Sequence, residues 1–405
     1  MRKKGRKIID QLKNSKLPVI IAGAGIVGKV LYSICQKEGI KVECFCDSSK
    51  KVAGGNFCGL KVWRTANLRQ KFQDANVLIS AAAIKDVVDL LLHLGFRKWQ
   101  AGGLLLDDWN VDQKNKDASL DYEKYAIENC ILCHKGFLNP KKIFIRSIDI
   151  IITERCSLKC KECSNLMQYY EKPQNCDLKS LFAAIDNFCL VSDEIMDLRV
   201  IGGEPFMNPQ WPKIVKKLTA IKKAKRVAIF TNGTILPTKE GLDALKHRKI
   251  RVIISDYGRL SRNLLALVDI LKHNGIIHHI LEIKEWISCS SIKPRRRSPV
   301  RLAEIFNSCC AKNMATLSDG KVFRCPYAAN AFRLSAVKNN PQDYIDLMKE
   351  PLDKKGIKLT KRKLQNYLGH KKYLSICNYC SGRPLAGKDV APAVQSEKPL
   401  KYTKY

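Results

Sequence analysis

Cys156-Ser-Leu-Lys-Cys160-Lys-Glu-Cys163 puts three thiols within eight residues, directly behind the apolar run Ile148-Asp-Ile-Ile-Ile-Thr153. A short apolar run bounded by polar residues reads as a buried strand, so the cysteines belong to the loop that leaves its end. Three thiolates at this spacing can hold three irons of a [4Fe-4S] cube and leave the fourth iron without a protein ligand, open to chemistry. Downstream, Asp177 can cap a helix with apolar positions Leu178, Leu181, Ile185 and Phe188. A second apolar run, Leu198-Arg-Val-Ile201, ends in Gly202-Gly203-Glu204-Pro205.

Strands and helices go on alternating. Pro209 opens a basic helix, Val227-Ala-Ile-Phe230 leads into Thr231-Asn232-Gly233, and Val252-Ile-Ile254 leads into Ser255-Asp256-Tyr257-Gly258. A helix from about 262 to 274 and a strand from 276 to 283 follow. This order predicts a parallel sheet with helices outside, and every polar signature falls just after a strand, where such folds keep their reactive groups. Strand, cysteine loop, helix, strand, Gly-Gly-Glu-Pro: in this order residues 146 to 385 resemble the radical S-adenosylmethionine (SAM) enzymes. The resemblance implies an open (β/α)6 partial barrel, a cube on Cys156, Cys160 and Cys163, and SAM chelating the free iron. One electron then cleaves SAM, and the resulting 5′-deoxyadenosyl radical removes hydrogen from a substrate. On this reading Gly202 and Gly203 leave backbone groups open to the ligand, Glu204 accepts from the methionine ammonium and Pro205 fixes the turn. Thr231, Asn232, Ser255 and Asp256 are placed for ribose and carboxylate, with turn and capping roles as the plain alternative for Thr231-Asn-Gly233. The family's usual aromatic residue before the third cysteine is Glu162 here, so the adenine contact falls to a neighbour such as Met167 or Tyr169. Tyr257 and Tyr327 each follow a site motif and are candidates for acid, base or hydrogen donor.

Further on, Met314-Ala-Thr-Leu317 and Lys321-Val-Phe-Arg324 flank Ser318-Asp319-Gly320, a hairpin with its turn at Asp-Gly. Cys310 precedes the turn, Cys325 closes the hairpin, and Cys377-Asn-Tyr-Cys380 adds two thiols. These intervals resemble the SPASM/twitch extensions of radical SAM enzymes, which implies a second [4Fe-4S] cluster on Cys310, Cys325, Cys377 and Cys380. Cys309, adjacent, can replace Cys310. A zinc ribbon is the alternative use of four cysteines.

At the N-terminus the strand 18 to 22 runs into Gly23-Ala-Gly25-Ile-Val-Gly28 at a helix start, and the strand Val42-Glu-Cys-Phe-Cys46 ends at Asp47. Glycines permit a tight turn and close approach to a phosphate, and an acidic residue at this distance can hold a ribose, which makes NAD a candidate ligand. Residues 15 to 110 resemble the Rossmann-like N-terminal domains of sugar-modifying enzymes of surface-polysaccharide pathways. Some of those domains bind a nucleotide or nucleotide-sugar and others only pack, so the resemblance leaves both a nucleotide-sugar site and a purely structural role open here. Residues 107 to 145 read as a connector, with Asp107-Asp108 and Asp112 to Asp117 marking the exit. Within it Cys130-Ile-Leu-Cys133-His134 has the spacing of a haem attachment site; structural thiols are the default reading, with haem or a small metal site as alternatives.

The expected architecture is therefore α/β: a Rossmann-like parallel sheet (1–110), a linker (111–145), a partial (β/α)6 barrel (146–300), a small iron-sulfur extension (301–390) and a tail (391–405). A hydrophobic content of 45% excludes disorder. No apolar run reaches the roughly 18 residues of a membrane span. The polar residues between the basic N-terminus and the apolar stretch from Leu17 read against export, and seventeen cysteines, an odd count with short-spaced groups and unclustered members such as Cys35 and Cys189, fit a reducing cytoplasm. A net charge of +34 favours anionic partners such as nucleotide diphosphates, and leaves peripheral contact with an acidic membrane open. The one dense patch, Lys293-Pro-Arg295-Arg296-Arg297, lacks the interleaved aromatics of a single-strand binder, which argues against nucleic acid. The leading expectation is a cytoplasmic radical SAM enzyme acting on a sugar or nucleotide-sugar and fed by a one-electron donor such as flavodoxin or ferredoxin. Peptide modification is the competing enzymatic reading, and an electron carrier or zinc-structured module the non-enzymatic one.

Overall fold

The computed structural model of the chain describes residues 3–49, 51–107, 118–370, 372–384 and 387–405. The chain divides into two compact units, Met1–Phe144 and Ile145–Tyr405.

The first unit contains α1 (Lys3–Lys13), β1 (Val19–Ala22), α2 (Ile26–Lys37), β2 (Val42–Asp47), β3 (Asn56–Phe57), β4 (Leu60–Arg64), α3 (Leu68–Lys71), β5 (Asn76–Ile79), α4 (Ile84–His93), β6 (Trp99–Ala101) and α5 (Ala118–Phe137). Its sheet runs β3-β4-β2-β1-β5-β6. All pairs are parallel except β3 with β4. Apart from Asn76 at the start of β5, β1 and β5 are apolar, and both are buried throughout, as central parallel strands covered on both faces must be. The chain builds outward from β1 through β2 and β4, then returns to the other side at β5, so the carboxyl ends of β1 and β5 form the switch point of a doubly wound sheet.

The segment read as a connector contains α5, which belongs to this first unit. Its Ile127 and Cys130 join the core of Ile21, Leu31 and Leu78. Its buried side chains also include Asn129 and His134, and this mixture blurs the apolar periodicity that would have announced a core helix. Asp108 and Asp112 to Asp117, read as the exit, lie outside the described residues.

The second unit alternates β7 (Phe144–Ile151), α6 (Leu178–Val191), β8 (Glu194–Ile201), α7 (Trp211–Thr219), β9 (Ala224–Thr231), α8 (Lys239–Leu245), β10 (Ile250–Asp256), α9 (Leu264–His273) and β11 (His278–Glu282). Then come β12 (Trp286–Ile287), α10 (Pro299–Ser308), β13 (Ala315–Ser318), β14 (Lys321–Phe323), α11 (Pro326–Arg333), β15 (Ile345–Asp346), α12 (Lys354–His370) and β16 (Asp389–Val390). One sheet holds β11-β10-β9-β8-β7-β13-β14-β15. The pairs from β8 to β11 are parallel, β13 lies parallel to β7, and β13, β14 and β15 are antiparallel.

Local chemistry sets the ends of these elements. The Asp177 carboxylate accepts from Ser180 N at 2.7 Å and starts α6. Asp319 and Gly320 both have positive φ, 47° and 74°, as a tight hairpin turn with the right-handed twist of its strands requires. Among the described residues no helix is long and apolar enough to cross a membrane. At the end of the expected extension β16 runs antiparallel to β12, and in the tail that follows Gln395 bridges Cys160 of the cysteine loop.

Candidate metal centres and ligand site

The loop leaving β7 folds Leu158 and Cys160 into a small apolar cluster with Ala393, ringed by Cys156, Cys163, Tyr257, Leu260 and Trp286. The three cysteines are therefore brought together. Nitrogen donors face all three sulfurs: Asn232 Nδ2 donates to Cys156 Sγ at 3.7 Å, Gln395 Nε2 to Cys160 Sγ at 3.3 Å, and the backbone amides of residues 165 to 167 face Cys163. Burial pushes the Cys160 thiol up to about 11 and raises Cys156 and Cys163 as well. A buried thiol ionises when a cation replaces its proton, and donors aimed at sulfur suit sulfur that carries negative charge. The donor set fits an iron-sulfur cluster. Among the described residues no group of three or more His, Cys, Asp and Glu side chains is gathered closely enough for a single ion. One tetrahedral zinc would hold its sulfurs about 3.8 Å apart, whereas a cube interposes its own irons and sulfides between the thiolates.

Gly202 and Gly203 do something other than expose backbone to a ligand. A Cβ on Gly202 would stand 2.3 Å from the Thr153 carbonyl oxygen, and one on Gly203 would stand 2.2 Å from that of Arg155 and 2.8 Å from Cys156 Cβ. The glycines let the end of β8 press against the cysteine loop, and Gly203 N and Glu204 N donate to Thr153 O and Arg155 O. Glu204 is fully buried. Its carboxylate accepts from Phe206 N at 3.2 Å and Asn232 N at 2.7 Å, yet burial outweighs these bonds and pushes its pKa up to about 7. Pro205 starts the short turn that follows.

Thr231 and Asn232 reach this same place, since Asn232 joins Glu204 through its backbone and Cys156 and Ser157 through its side chain. At the end of β10 the Asp256 carboxylate accepts from Gly258 N at 2.8 Å and braces the turn that follows. Ser255 contacts Tyr257, which packs edge-on against Trp286 with ring centroids 5.6 Å apart. Trp286 gave no signal in the sequence, because a lone tryptophan after an edge strand has no motif around it.

Glu162 is held by Ser288 and Ser290, whose hydroxyls donate to Oε2 at 3.2 and 2.8 Å. It lines a cavity of about 410 Å³ together with Lys161, Tyr169, Lys293, Lys401 and Tyr402. Tyr169 donates to Ser290 O at 3.1 Å.

The same stretch, through Cys289, forms part of a second cavity of about 70 Å³ walled by Cys309, Cys325, Cys377 and Cys380. Cys309, not the expected Cys310, faces this space; Cys310 is exposed. The reason is periodicity: α10 buries Leu302, Ile305 and Phe306, and position 309 continues that stripe. Beside it, a hydrogen bond with the Cys309 thiol and then the Arg383 guanidinium lower the Cys310 pKa. Burial pushes Cys325 up to about 12. Arg324 also lines the cavity, 4% exposed, and its Nε has no hydrogen-bond partner. An orphaned cationic donor beside four thiols fits an anionic cluster. Part of the basic patch is spent here too. Arg297 donates to Cys377 O at 2.7 Å and Cys380 O at 2.8 Å, clamping the Cys-X-X-Cys loop. Tyr327, another wall residue, donates to Ser291 O at 2.9 Å.

In the first unit Gly23 has φ +114°, and a Cβ there would meet Ser80 Oγ at 2.2 Å. A Cβ on Gly28 would meet Gly23 O at 2.1 Å, whereas Gly25 faces open space. Asp47 accepts from Ala24 N at 3.0 Å and Ser49 N at 2.8 Å, so its carboxylate braces the glycine loop itself. On the β5 side of the switch point His134 accepts from Gly103 N at 3.0 Å through Nδ1 and donates to Ala81 O at 2.9 Å through Nε2. Cys130 donates to Ser80 O at 3.3 Å. These two side chains of the Cys-X-X-Cys-His stretch dock α5 on the sheet. Burial holds His134 below its ordinary pKa, consistent with this neutral tautomer.

Residues 150–255 match the model of the Radical SAM superfamily. The chain carries a radical SAM domain. It is similar to GTP 3′,8-cyclase of Clostridium acetobutylicum, 34% identical over 99 residues, which is 23% of this chain and 30% of that protein. It is also similar to the antilisterial bacteriocin subtilosin biosynthesis protein AlbA of Bacillus subtilis, 35% identical over 109 residues, 25% of this chain and 22% of that protein. The chain thus spans less than a third of either relative. Among solved structures, BtrN in complex with AdoMet and 2-DOIA shares 17% identity over 64% of this chain and 99% of BtrN, with a TM-score of 0.38. SuiB of Streptococcus suis bound to S-adenosylmethionine shares 15% over 59% of this chain and 52% of SuiB, with a TM-score of 0.31.

Proposed function

We propose that the chain is a radical SAM enzyme acting on a small anionic substrate, a sugar or nucleotide-sugar. When bound on Cys156, Cys160 and Cys163, the cluster supplies the electron that cleaves SAM and so gives the radical that removes hydrogen from substrate. Around it Glu204 takes the ligand's ammonium, Asn232 steadies Cys156, and the Tyr257–Trp286 pair offers the aromatic surface that Glu162 no longer provides.

The observation that carries the substrate class is the cavity beside Glu162. Its roughly 410 Å³ is the size of a small-molecule pocket, and three lysines, Lys161, Lys293 and Lys401, face it against the single carboxylate of Glu162, which two serines already hold. Such a balance favours phosphate or diphosphate on the ligand. A second cluster on Cys309, Cys325, Cys377 and Cys380, with Cys289 as a fifth thiol in the wall, lies across the 289–291 stretch from that cavity and suits electron transfer from the substrate side. The first unit, with the β5 half of its switch point covered by α5, suits a mononucleotide or nucleotide-sugar better than a full dinucleotide such as NAD. Seventeen free thiols suit a reducing cytoplasm with a flavodoxin or ferredoxin as electron donor.

The test is anaerobic reconstitution followed by SAM cleavage with a panel of nucleotide-sugars. Deoxyadenosine release above background, lost in Lys161→Ala and Lys401→Ala, is expected. Release that responds only to peptides would move the assignment to peptide modification, the work that the subtilosin relative's name suggests.

A further inference from the structure

The stretch Ala393-Val-Gln-Ser396 lies along the cysteine loop as an added strand. Gln395 bridges Cys160 in antiparallel fashion, Lys161 N donates to Val394 O at 2.8 Å, and Ser396 N donates to Lys159 O at 2.7 Å. Both ends of the Gln395 amide are used. Its Oε1 accepts from Lys159 N at 2.8 Å, so its nitrogen must turn the other way, donating to Ala393 O at 2.6 Å and to Cys160 Sγ at 3.3 Å. The bond to Lys159 N therefore settles which amide atom faces sulfur. Ala393 is 3% exposed and sits at φ 53°, a left-handed conformation that costs a non-glycine residue energy and persists only where packing enforces it. Here the packing is against Leu158 and Cys160. Farther along, Leu400 N donates to Gln168 O at 2.8 Å, Tyr402 packs edge-on against Tyr169 at 5.6 Å, and Tyr405 N reaches Ser335 O at 2.8 Å.

We propose that this C-terminal segment is a strap over the radical-generating cluster, and that Gln395 is a positioning residue whose amide N–H···S bond to the Cys160 thiolate sets the cluster's reduction potential. The inference rests on the cluster reading of Cys156, Cys160 and Cys163. A donor to a ligating sulfur stabilises the more negative, reduced cluster and raises its potential, while the strap's cover keeps water from the same sulfur. Glutamine suits both tasks, since one atom of the amide fixes the loop backbone and the other serves the thiolate.

The experiment compares anaerobically reconstituted full-length wild type, Gln395→Glu and Gln395→Ala by EPR-monitored redox titration, with iron content and SAM-induced change of the EPR signal measured on the same samples. Gln395→Glu keeps an acceptor for Lys159 N and places a carboxylate against the sulfur. Its midpoint potential is expected to shift negative at unchanged iron content, with Gln395→Ala between it and wild type. A chain ended after Val390 is expected to lose its cluster faster in air. A Gln395→Glu potential equal to wild type, with a full cluster that still responds to SAM, overturns the strap proposal alone. A wild-type protein that takes up no [4Fe-4S] cluster, or one whose signal ignores SAM, overturns the cluster reading and the strap with it.

Discussion

Titration of Glu204 should leave a measurable trace in stability. Its carboxyl is fully buried and sits near pKa 7 against an ordinary 4.5, because burial outweighs its backbone hydrogen bonds. In the unfolded chain the group loses its proton near its ordinary value, while the folded chain keeps it to about pH 7. Its contribution is therefore complete below the unfolded pKa and is lost as the pH rises through the folded one. At 1.36 kcal/mol per pKa unit, the loss between about pH 5 and about pH 8 is roughly 2.5 kcal/mol. Glu204→Gln is neutral at every pH and so lacks this term. Urea unfolding of the metal-free protein under anaerobic conditions, wild type and variant side by side, should show the stability difference moving against wild type by about that amount across the window. Parallel profiles would refute the argument, since they would mean that the carboxylate is already ionised in the fold. Binding of a ligand cation beside Glu204 should draw its pKa back down, so SAM on the reconstituted protein should flatten the wild-type profile.

Other perturbations test neighbouring parts of the fold. Arg333 meets Glu154 at 2.7 Å with both side chains largely buried, and Arg333→Ala, which strands that carboxylate, should cost about 3 kcal/mol in urea unfolding. Cys309→Ser and Cys325→Ser should each lower bound iron by about half after reconstitution while Cys310→Ser keeps it, as quantified by iron and sulfide assay. His134→Leu leaves Gly103 N and Ala81 O unpaired and should destabilise the first unit by about 3 kcal/mol, read as a lowered first transition in calorimetry.

What the sequence disclosed, and what it hid, follows from distance along the chain. Strands β1 and β5 carry short apolar runs with polar residues behind them, β8 and β10 keep theirs despite Arg199 and Arg251, and the three cysteines after β7 stand close together in sequence, so both were legible. The stripe Leu302, Ile305, Phe306, which points on to Cys309 just past the end of α10, was there to be read too, but the cysteine and glycine intervals drew attention to Cys310 instead. Other features had no local mark. Gly202 and Gly203 look the same in sequence whether a ligand or the Arg155 carbonyl needs the space. Arg297 belongs to a run that reads as a polyanion patch, yet its guanidinium is committed to three carbonyls some 80 positions away. Cys289 stands alone between serines. Gln395 bonds a sulfur 235 positions earlier, and nothing in Ala393-Val-Gln-Ser396 announces it. Cluster ligands can be found by spacing because a metal gathers neighbours in sequence, whereas the donors that tune those ligands arrive from any part of the chain that folding brings past them. Residues that would govern how readily such a cluster is reduced are therefore to be sought in segments that composition alone would dismiss, and on the proposal for Gln395 that segment is the one first read as a tail.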